Sequence, residues 1–147
     1  MLSKKAKYGL TALIYLAEQA DQAPVGIQEI ADTQRIPKKF LDAILLELRN
    51  VGLLQSRKGK GGGYALARPA VDIRIGSVIR ALDGPLAPIR CASRTAYQPC
   101  NDCADIPGCR IRKTMMEVRE AMADILDQKC LADLTAHGPV YVPDFVI

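Results

Sequence analysis

The segment that most restricts the fold is residues 57–63, where four glycines and three basic residues, with no acidic residue, separate two short apolar runs. Glycine adopts positive φ angles readily and lets the backbone come close to another surface. The basic residues give this segment an attraction to phosphate groups. The flanking runs, Leu53–Ser56 and Tyr64–Leu66, are typical of short strands. We therefore expect a β-hairpin whose basic tip approaches a polyanion.

A glycine-rich basic loop can also hold the phosphates of a nucleotide. The order G-x-x-x-x-G-K-[ST] is absent, however, and no helical pattern opens directly after residue 63. We therefore favour the hairpin over a nucleotide site.

A helix-turn-helix pattern lies directly before this hairpin. Apolar residues recur at helical spacing from Ile27, and a turn over 33–36 leads to Pro37, which suits the start of a second helix. Gly52 would end that second helix in a left-handed conformation. The apolar stripe that we expect to be buried is Phe40, Leu41, Ile44, Leu45 and Leu48. With a first helix over Lys4–Ala20, the pattern predicts a mainly α fold with a small β-wing, that is, a winged helix-turn-helix.

Charge and cysteine are unevenly distributed along the chain. Residues 1–68 carry 11 Lys and Arg against 6 Asp and Glu, whereas residues 69–147 carry 9 against 10 and contain all five cysteines. This asymmetry indicates one half that faces a polyanion and another that carries thiol chemistry, although a basic half can also be a solvated surface. Aromatic residues make up only 5% of the chain, which argues against stacking on many bases. The single His argues against a histidine-rich metal centre or a catalytic triad.

Three lysines near the N-terminus, Lys4, Lys5 and Lys7, precede an apolar run and superficially resemble a signal peptide. The apolar residues of that run fall at helical spacing among polar ones, so an amphipathic helix is the better interpretation. No run reaches the ~20 apolar residues that a membrane span needs. We therefore expect a cytoplasmic protein without a membrane partner.

Four of the five cysteines are crowded into nineteen positions: Cys91, Cys100, Cys103 and Cys109. They lie in or just after residues 85–108, which show no helical period, and an ordered stretch of that length is usually functional. Thiolates select zinc, copper(I) or iron–sulfur clusters over hard cations, and four of them also suit tetrahedral zinc. Cys130, outside this segment, is expected to be a small buried residue.

Three basic residues begin the helix that we predict over 110–129: Arg110, Arg112 and Lys113. The helix dipole normally favours acidic residues there, so these cations indicate a nearby anion such as a thiolate-bound cluster. They could instead pair with Asp102 or Asp105. The apolar residues of this helix follow a heptad seam: Ile111, Met115, Val118, Met122 and Ile125. We predict that this seam is a dimer interface, with packing inside the chain as the alternative.

Several separate motifs identify a family. They are the opening Lys7–Leu10, the segment Ile36–Leu41 with Ile44 and Leu45, the hairpin Ser56–Ala67 and the helix Gly76–Pro85. These segments resemble the opening, recognition helix, wing and following helix of the Rrf2 type of bacterial winged-helix regulators, in particular its cluster-binding subgroup. The resemblance covers nearly the whole chain.

The resemblance implies a winged-helix homodimer with a long crossing dimerisation helix, which binds a palindromic site in double-stranded DNA. In cluster-binding members three loop cysteines hold an iron–sulfur cluster, and the fourth ligand varies and can come from the partner subunit. Cys91 matches the first family cysteine, and Cys103 and Cys109 match the last two. Cys100 is additional and the gap after Cys91 is longer, which leaves open the ligand set and the cluster type, 2Fe–2S or 4Fe–4S.

We therefore predict a transcriptional regulator, not an enzyme, whose operator affinity is controlled by an iron–sulfur cluster and which has no small-molecule substrate. Its expected parts are a DNA-binding domain (1–84), a cysteine-rich loop (85–109), and a dimerisation helix with a tail (110–147). The expected metal ligands are Cys91, Cys100, Cys103 and Cys109. The residues expected to contact DNA are Lys38 and Lys39 on the recognition helix, and Arg57, Lys58 and Lys60 on the wing. Lys5 and Gln28 are expected to contact the DNA backbone.

Three alternatives stay open at this point. The same DNA-binding regulator could carry zinc or a thiol-based redox switch in place of a cluster. A thiol–disulfide oxidoreductase could use Cys100 and Cys103, although no βαβ pattern surrounds that pair. A structural metal module of a larger complex would show no sequence-selective DNA binding.

Overall fold

The computed structural model describes residues 2–136 and 138. In that part of the chain the α-helices and strands are α1 (Lys4–Ala17), α2 (Ile27–Gln34), α3 (Lys38–Asn50), β1 (Leu54–Arg57), β2 (Gly63–Leu66), α4 (Ile75–Asp83) and α5 (Arg110–Gln128). The two strands form one antiparallel sheet, so the prediction of a mainly α fold with a small β-wing is confirmed. The tail after residue 138, which we grouped with the dimerisation helix, and His137 lie outside the described residues.

Helix α1 begins at a serine cap and ends earlier than predicted. The Ser3 hydroxyl accepts the backbone N–H of Ala6 at 3.0 Å, which satisfies one of the N–H groups that a helix start leaves free. The helix stops at Ala17 rather than Ala20, because Gln19 already has an extended backbone with φ −72° and ψ 136°.

Helices α2 and α3 form the predicted helix-turn-helix. Arg35 joins them in a left-handed conformation, with φ 54° and ψ 43°. Four residues of the predicted stripe of α3 are buried: Leu41, Ile44, Leu45 and Leu48. The prediction for Phe40 is wrong, because its side chain is 61% exposed. Phe40 lies at the edge of the stripe, next to the fully buried Leu41, and its ring lines a groove with Tyr8 instead of entering the core.

The wing follows α3 directly. Gly52 lies just after α3 with a φ of 79°, as predicted, and the antiparallel register places Arg57 opposite Gly63. Val25 and Tyr64 exchange two backbone hydrogen bonds of 2.8 Å each. The hairpin is therefore attached to the segment before α2 as well as to α3.

The chain between α4 and α5 has little regular structure, as predicted. Within 85–109, all of which the structure describes, a short 3₁₀ turn covers Arg90–Ala92, and Cys109 caps the start of α5. After α5 the Leu131 backbone N–H donates to the Ile73 carbonyl oxygen at 2.8 Å, which returns the chain to the core. Cys130 beside it is buried, as predicted.

The core lies among α1, α2, α3 and α4, and the segment after α5 joins it. Its largest fully buried side chains are Leu13, Leu16, Ile30, Leu41, Leu45, Leu48, Ile73, Val78 and Leu131. None of the helices in the described part of the chain is both long and apolar enough to cross a membrane.

Candidate functional site

The start of α3 presents both basic and apolar side chains to solvent. Lys38 and Lys39 are exposed in its first turn, next to the exposed ring of Phe40. Phe40 lines an apolar groove of about 310 Å³ together with Tyr8 and Ala43. In the major groove of DNA, base edges offer acceptors to lysine, and the thymine methyl group offers an apolar contact. The first turn of α3 is suited to both kinds of contact.

The tip of the wing carries its three basic side chains in solvent. Arg57, Lys58 and Lys60 are exposed, and within residues 2–136 and 138 no carboxylate forms an ion pair with them. Gly59 and Gly61 turn the chain between the strands with φ angles of 89° and 76°. The tip therefore combines a tight turn with cations that phosphate groups can reach.

Lys5 and Gln28, which we expect to contact the DNA backbone, already have partners inside the chain. The Lys5 Nζ atom lies 2.7 Å from a carboxylate oxygen of Glu47, and Gln28 Nε2 donates to Asp32 Oδ1 at 2.8 Å. Lys5 also lines the apolar groove beside Phe40. Exposed pairs of this kind contribute little to the free energy of folding. Lys5 and Gln28 can therefore exchange their carboxylate partners for phosphate groups.

Three of the four loop cysteines are gathered in one place. The Sγ atoms of Cys91 and Cys100 are 3.7 Å apart, and the ligand atoms of Cys100, Asp102 and Cys103 lie within 4.8 Å of one another. Cys109 is not part of that group, and its Sγ atom accepts a backbone N–H at the start of α5 at 3.4 Å. Asp102 was not predicted as a donor, although its position in the run C-N-D-C could have suggested it.

The chemistry of these donors fits an iron–sulfur cluster or zinc. Burial raises the pKa of the Cys91 thiol, and a hydrogen bond with Cys103 raises the pKa of the Cys100 thiol. Both thiols therefore favour the protonated form, and a metal that binds them must displace their protons. Sulfur donors of this type select soft or borderline metals over calcium and magnesium.

Two arginines of α5 hold the 3₁₀ turn that contains Cys91. Arg112 Nε donates to the Cys91 carbonyl oxygen at 2.8 Å. Arg119 is only 8% exposed and donates to the Ala92 carbonyl oxygen. Sequence reasoning missed both bonds, because they depend on how the loop folds back on α5. In the part of the chain that the structure describes, the cations at the start of α5 form no ion pair with a loop carboxylate.

Helix α5 leaves most of its predicted seam in solvent. Ile111 is 67% exposed, Val118 39% and Ile125 61%, whereas Met115 and Met122 are half-buried. A neighbouring face, with Ala123 and Leu126, packs against the core of the same chain. The packing of α5 inside the chain therefore leaves this apolar seam available for another surface.

Comparison with known proteins finds transcriptional regulators that match nearly the whole chain. The family model described as Rrf2, iron-dependent transcriptional regulator, matches residues 2–137. An rrf2-like HTH-type transcriptional regulator of Rhodobacter capsulatus is 43% identical over 94% of this chain and 94% of its own length. The HTH-type transcriptional regulator CymR of Bacillus subtilis is 31% identical over 92% of this chain and 90% of its own.

Solved structures agree with these sequence matches. CymR, described as the global cysteine regulator of B. subtilis, superposes with a TM-score of 0.75 at 30% identity, covering 95% of this chain and 98% of its own. IscR of T. potens superposes with a TM-score of 0.72 at 28% identity, covering 91% of this chain and 85% of its own. Their fold, like that of this chain, is the winged helix of this group of regulators.

Proposed function

Because the chain belongs to the Rrf2 family of transcriptional regulators, we propose that it is a homodimer which binds a palindromic operator with an affinity set by an iron–sulfur cluster. DNA-binding regulation of transcription is the function of the relatives, and they are not enzymes. This confirms the prediction that the chain is not an enzyme and removes the oxidoreductase alternative. In the proposal, residues 1–84 bind DNA, 85–109 hold the cluster and 110–147 dimerise, in the cytoplasm.

The proposed DNA contacts start from the exposed first turn of α3. This turn enters the major groove, where Lys38 and Lys39 donate to base edges or phosphates and Phe40 contacts a thymine methyl group. The basic residues of the wing tip neutralise phosphates or enter the minor groove. Lys5 and Gln28 contact the DNA backbone after exchanging their carboxylate partners.

The gathering of three loop thiols is the observation that carries the sensing part of the proposal. Cys91, Cys100 and Cys103, with Cys109 at the start of α5, are the residues that would hold the cluster. When bound, the cluster would supply an iron- and redox-dependent centre at this position. Arg112 and the buried Arg119 join the Cys91 turn to α5.

The arginine contacts give the loop a route to the DNA-binding half. A displacement of the Cys91 turn is passed to α5 through those hydrogen bonds, and a displaced α5 changes the spacing of the two recognition helices of a dimer. A coupling free energy of 1–3 kcal/mol changes an affinity by roughly 5- to 150-fold. A modest structural change in the loop is therefore sufficient for control.

Zinc is the second candidate for the loop. Asp102 adds an oxygen donor to the sulfur donors of Cys100 and Cys103, and zinc accepts such a mixed set. Iron, sulfide and zinc contents of protein purified without oxygen decide between the two candidates. Near-equal iron and sulfide with little zinc support the cluster, and zinc equimolar with the chain contradicts it. As a check on the ligands, Cys103→Ala should abolish uptake of iron and sulfide, whereas Cys130→Ala should not.

Selection of duplexes from a random DNA pool, followed by fluorescence anisotropy on the selected site, tests the DNA-binding part. We expect a palindrome, and we expect Lys39→Ala to weaken its binding by about 1–3 kcal/mol. Lys129→Ala removes the same charge from an exposed position just after α5 and should leave the affinity nearly unchanged. Selection of no palindrome, or equal losses for both variants, would contradict the proposal.

A further inference from the structure

The loop has one thiol more than the three that the family resemblance implies, and this additional thiol lies against the most buried one. The Sγ atom of Cys100 is 3.7 Å from that of Cys91. Both cysteines are free, and a disulfide would bring the two sulfur atoms to about 2.05 Å. The 3.7 Å separation therefore belongs to two reduced thiols, of which Cys100 donates a weak hydrogen bond to the Cys91 Sγ atom.

This separation matches two thiolates on one metal atom. With metal–sulfur bonds of about 2.3 Å and tetrahedral angles, two thiolates of the same metal lie about 3.8 Å apart. Thiolates on different irons of a cluster point outwards from separate corners and lie farther apart. The distance between Cys91 and Cys100 agrees with the first arrangement.

The surroundings bury one member of the pair fully and leave the other half-buried in the loop. Cys91 is 3% exposed, and its turn is bonded to α5 through Arg112 and through the Ala92 carbonyl oxygen. Cys100 contacts Cys91, and its Sγ atom also lies within 4.8 Å of the donor atoms of Asp102 and Cys103. Cys100 is thus the residue that connects the buried thiol to the exposed donors.

We propose that Cys91 and Cys100 bind the same metal atom. The inference rests on the proposed function, and it deepens that function by selecting the cluster type. In a four-cysteine 2Fe–2S cluster each iron takes two protein ligands, whereas in a 4Fe–4S cluster each iron takes one. A cysteine pair on one iron therefore requires a 2Fe–2S cluster, with the second iron left to Cys103 and Cys109.

Cobalt(II) tests the shared metal atom without the cluster. The full chain, reduced and handled without oxygen, receives one equivalent of Co(II), and the thiolate-to-cobalt charge-transfer absorption is measured. We expect Cys91→Ser and Cys100→Ser to lose similar shares of this absorption, and Cys130→Ser, a buried cysteine outside the loop, to lose none. Thermal unfolding followed by circular dichroism confirms that each variant is folded. A Cys100→Ser protein with the full absorption, or a wild-type chain that binds no Co(II), overturns the inference.

Reconstitution with iron and sulfide separates the inference from the proposed function. A 2Fe–2S Mössbauer spectrum in the wild-type chain supports both, and a 4Fe–4S spectrum overturns the inference while the proposed function stands. No uptake of iron and sulfide, together with the expected cobalt result, overturns the proposed function while the shared metal atom stands. A Cys91–Cys100 disulfide found by mass spectrometry in protein purified without oxygen overturns the inference.

Discussion

Gly63 is the residue at which the wing depends most on the absence of a side chain. Its φ is 145°, and a Cβ atom there would overlap the carbonyl oxygen of Val25. The backbone of Val25 also exchanges two hydrogen bonds with the backbone of Tyr64. A side chain at this position would therefore separate the hairpin from the segment before α2.

We expect Gly63→Ala to lower the free energy of unfolding by roughly 1–3 kcal/mol, because the added methyl group clashes with backbone and not with a movable side chain. Gly59→Ala is the matched control, since Gly59 also has a positive φ (89°) but has no atom within 4 Å of the added Cβ. The control should lose only the left-handed strain, about 1 kcal/mol. Urea unfolding measures both, and equal losses would show that the contact with Val25 does not matter.

Single residues also show where sequence reasoning ends. The cysteines, the lysines of α3 and the wing cations could be predicted as candidate site residues from residue type and spacing alone. Phe40 could not be assigned correctly, because a position at the edge of an apolar stripe has the same periodicity whether its side chain enters the core or faces solvent. The roles of Arg112 and Arg119 depend on hydrogen bonds to loop carbonyl groups, and no periodicity encodes such contacts.

At the level of elements, an ion pair fastens α4 to α5. Arg80 donates to the two carboxylate oxygens of Asp127 at 2.6 and 2.8 Å. The helices approach closely at this point, since a Cβ on Gly76 would overlap the Asp127 carboxylate. The hydrogen bonds from Arg80 hold the pKa of Asp127 below its usual value and raise the pKa of Arg80.

Asp127→Asn should remove stability in a way that depends on pH. Because the pKa of Asp127 is lowered by folding, its contribution is present above the pKa of the unfolded chain and is lost as the pH falls through the folded value. At neutral pH we expect a loss of at most about 1 kcal/mol, because the pair is about 40% exposed and screened by water. The loss should shrink below pH ~4, where the unfolded carboxyl takes up a proton.

Urea unfolding at neutral and acidic pH measures this difference. Asp124→Asn serves as the control, since Asp124 is an exposed carboxylate of the same helix outside the pair with Arg80. A loss that stays constant from neutral to acidic pH would contradict the role of the ion pair.

The elements themselves were more predictable than their ends. Apolar residues at helical spacing located α2 to α5, and the short runs on either side of the glycine-rich segment located both strands, to within a residue or a few. The end of α1 was placed too late, since the extended backbone of Gln19 follows residues that are still compatible with a helix. The loop could be recognised as irregular, but the contact between Cys91 and Cys100 depends on a fold that no repeating pattern describes.

For the whole molecule, the surfaces are divided between the proposed functions. The cations that we propose for DNA binding are exposed on α3 and the wing, and the exposed apolar seam lies on α5. Isolated exposed apolar residues are common on proteins, but a row at heptad spacing on one helix is suited to a partner helix. The proposed dimer covers this row.

Replacing Ile125 by Glu should convert the proposed dimer into a folded monomer, because the charge would be buried unpaired at the seam. Val71→Glu is the matched control, since Val71 is 58% exposed and Ile125 61%, but Val71 lies outside the seam. Sedimentation velocity gives the mass of each variant, and circular dichroism checks that both are folded. A dimeric Ile125→Glu protein, or a monomeric wild type, would contradict the assignment of the seam.

The arginine-held turn at Cys91 has a consequence for the thermodynamics of the regulator. In small zinc modules the metal-binding free energy is spent on folding the chain, but here Cys91 and Ala92 are already buried and bonded to α5. The binding free energy is then available to favour one conformation of the dimer over another. Such coupling acts in both directions. If the metal changes the affinity for the operator, the operator changes the affinity for the metal by the same factor. Protein bound to its promoter then has a different affinity for its metal from protein that is free.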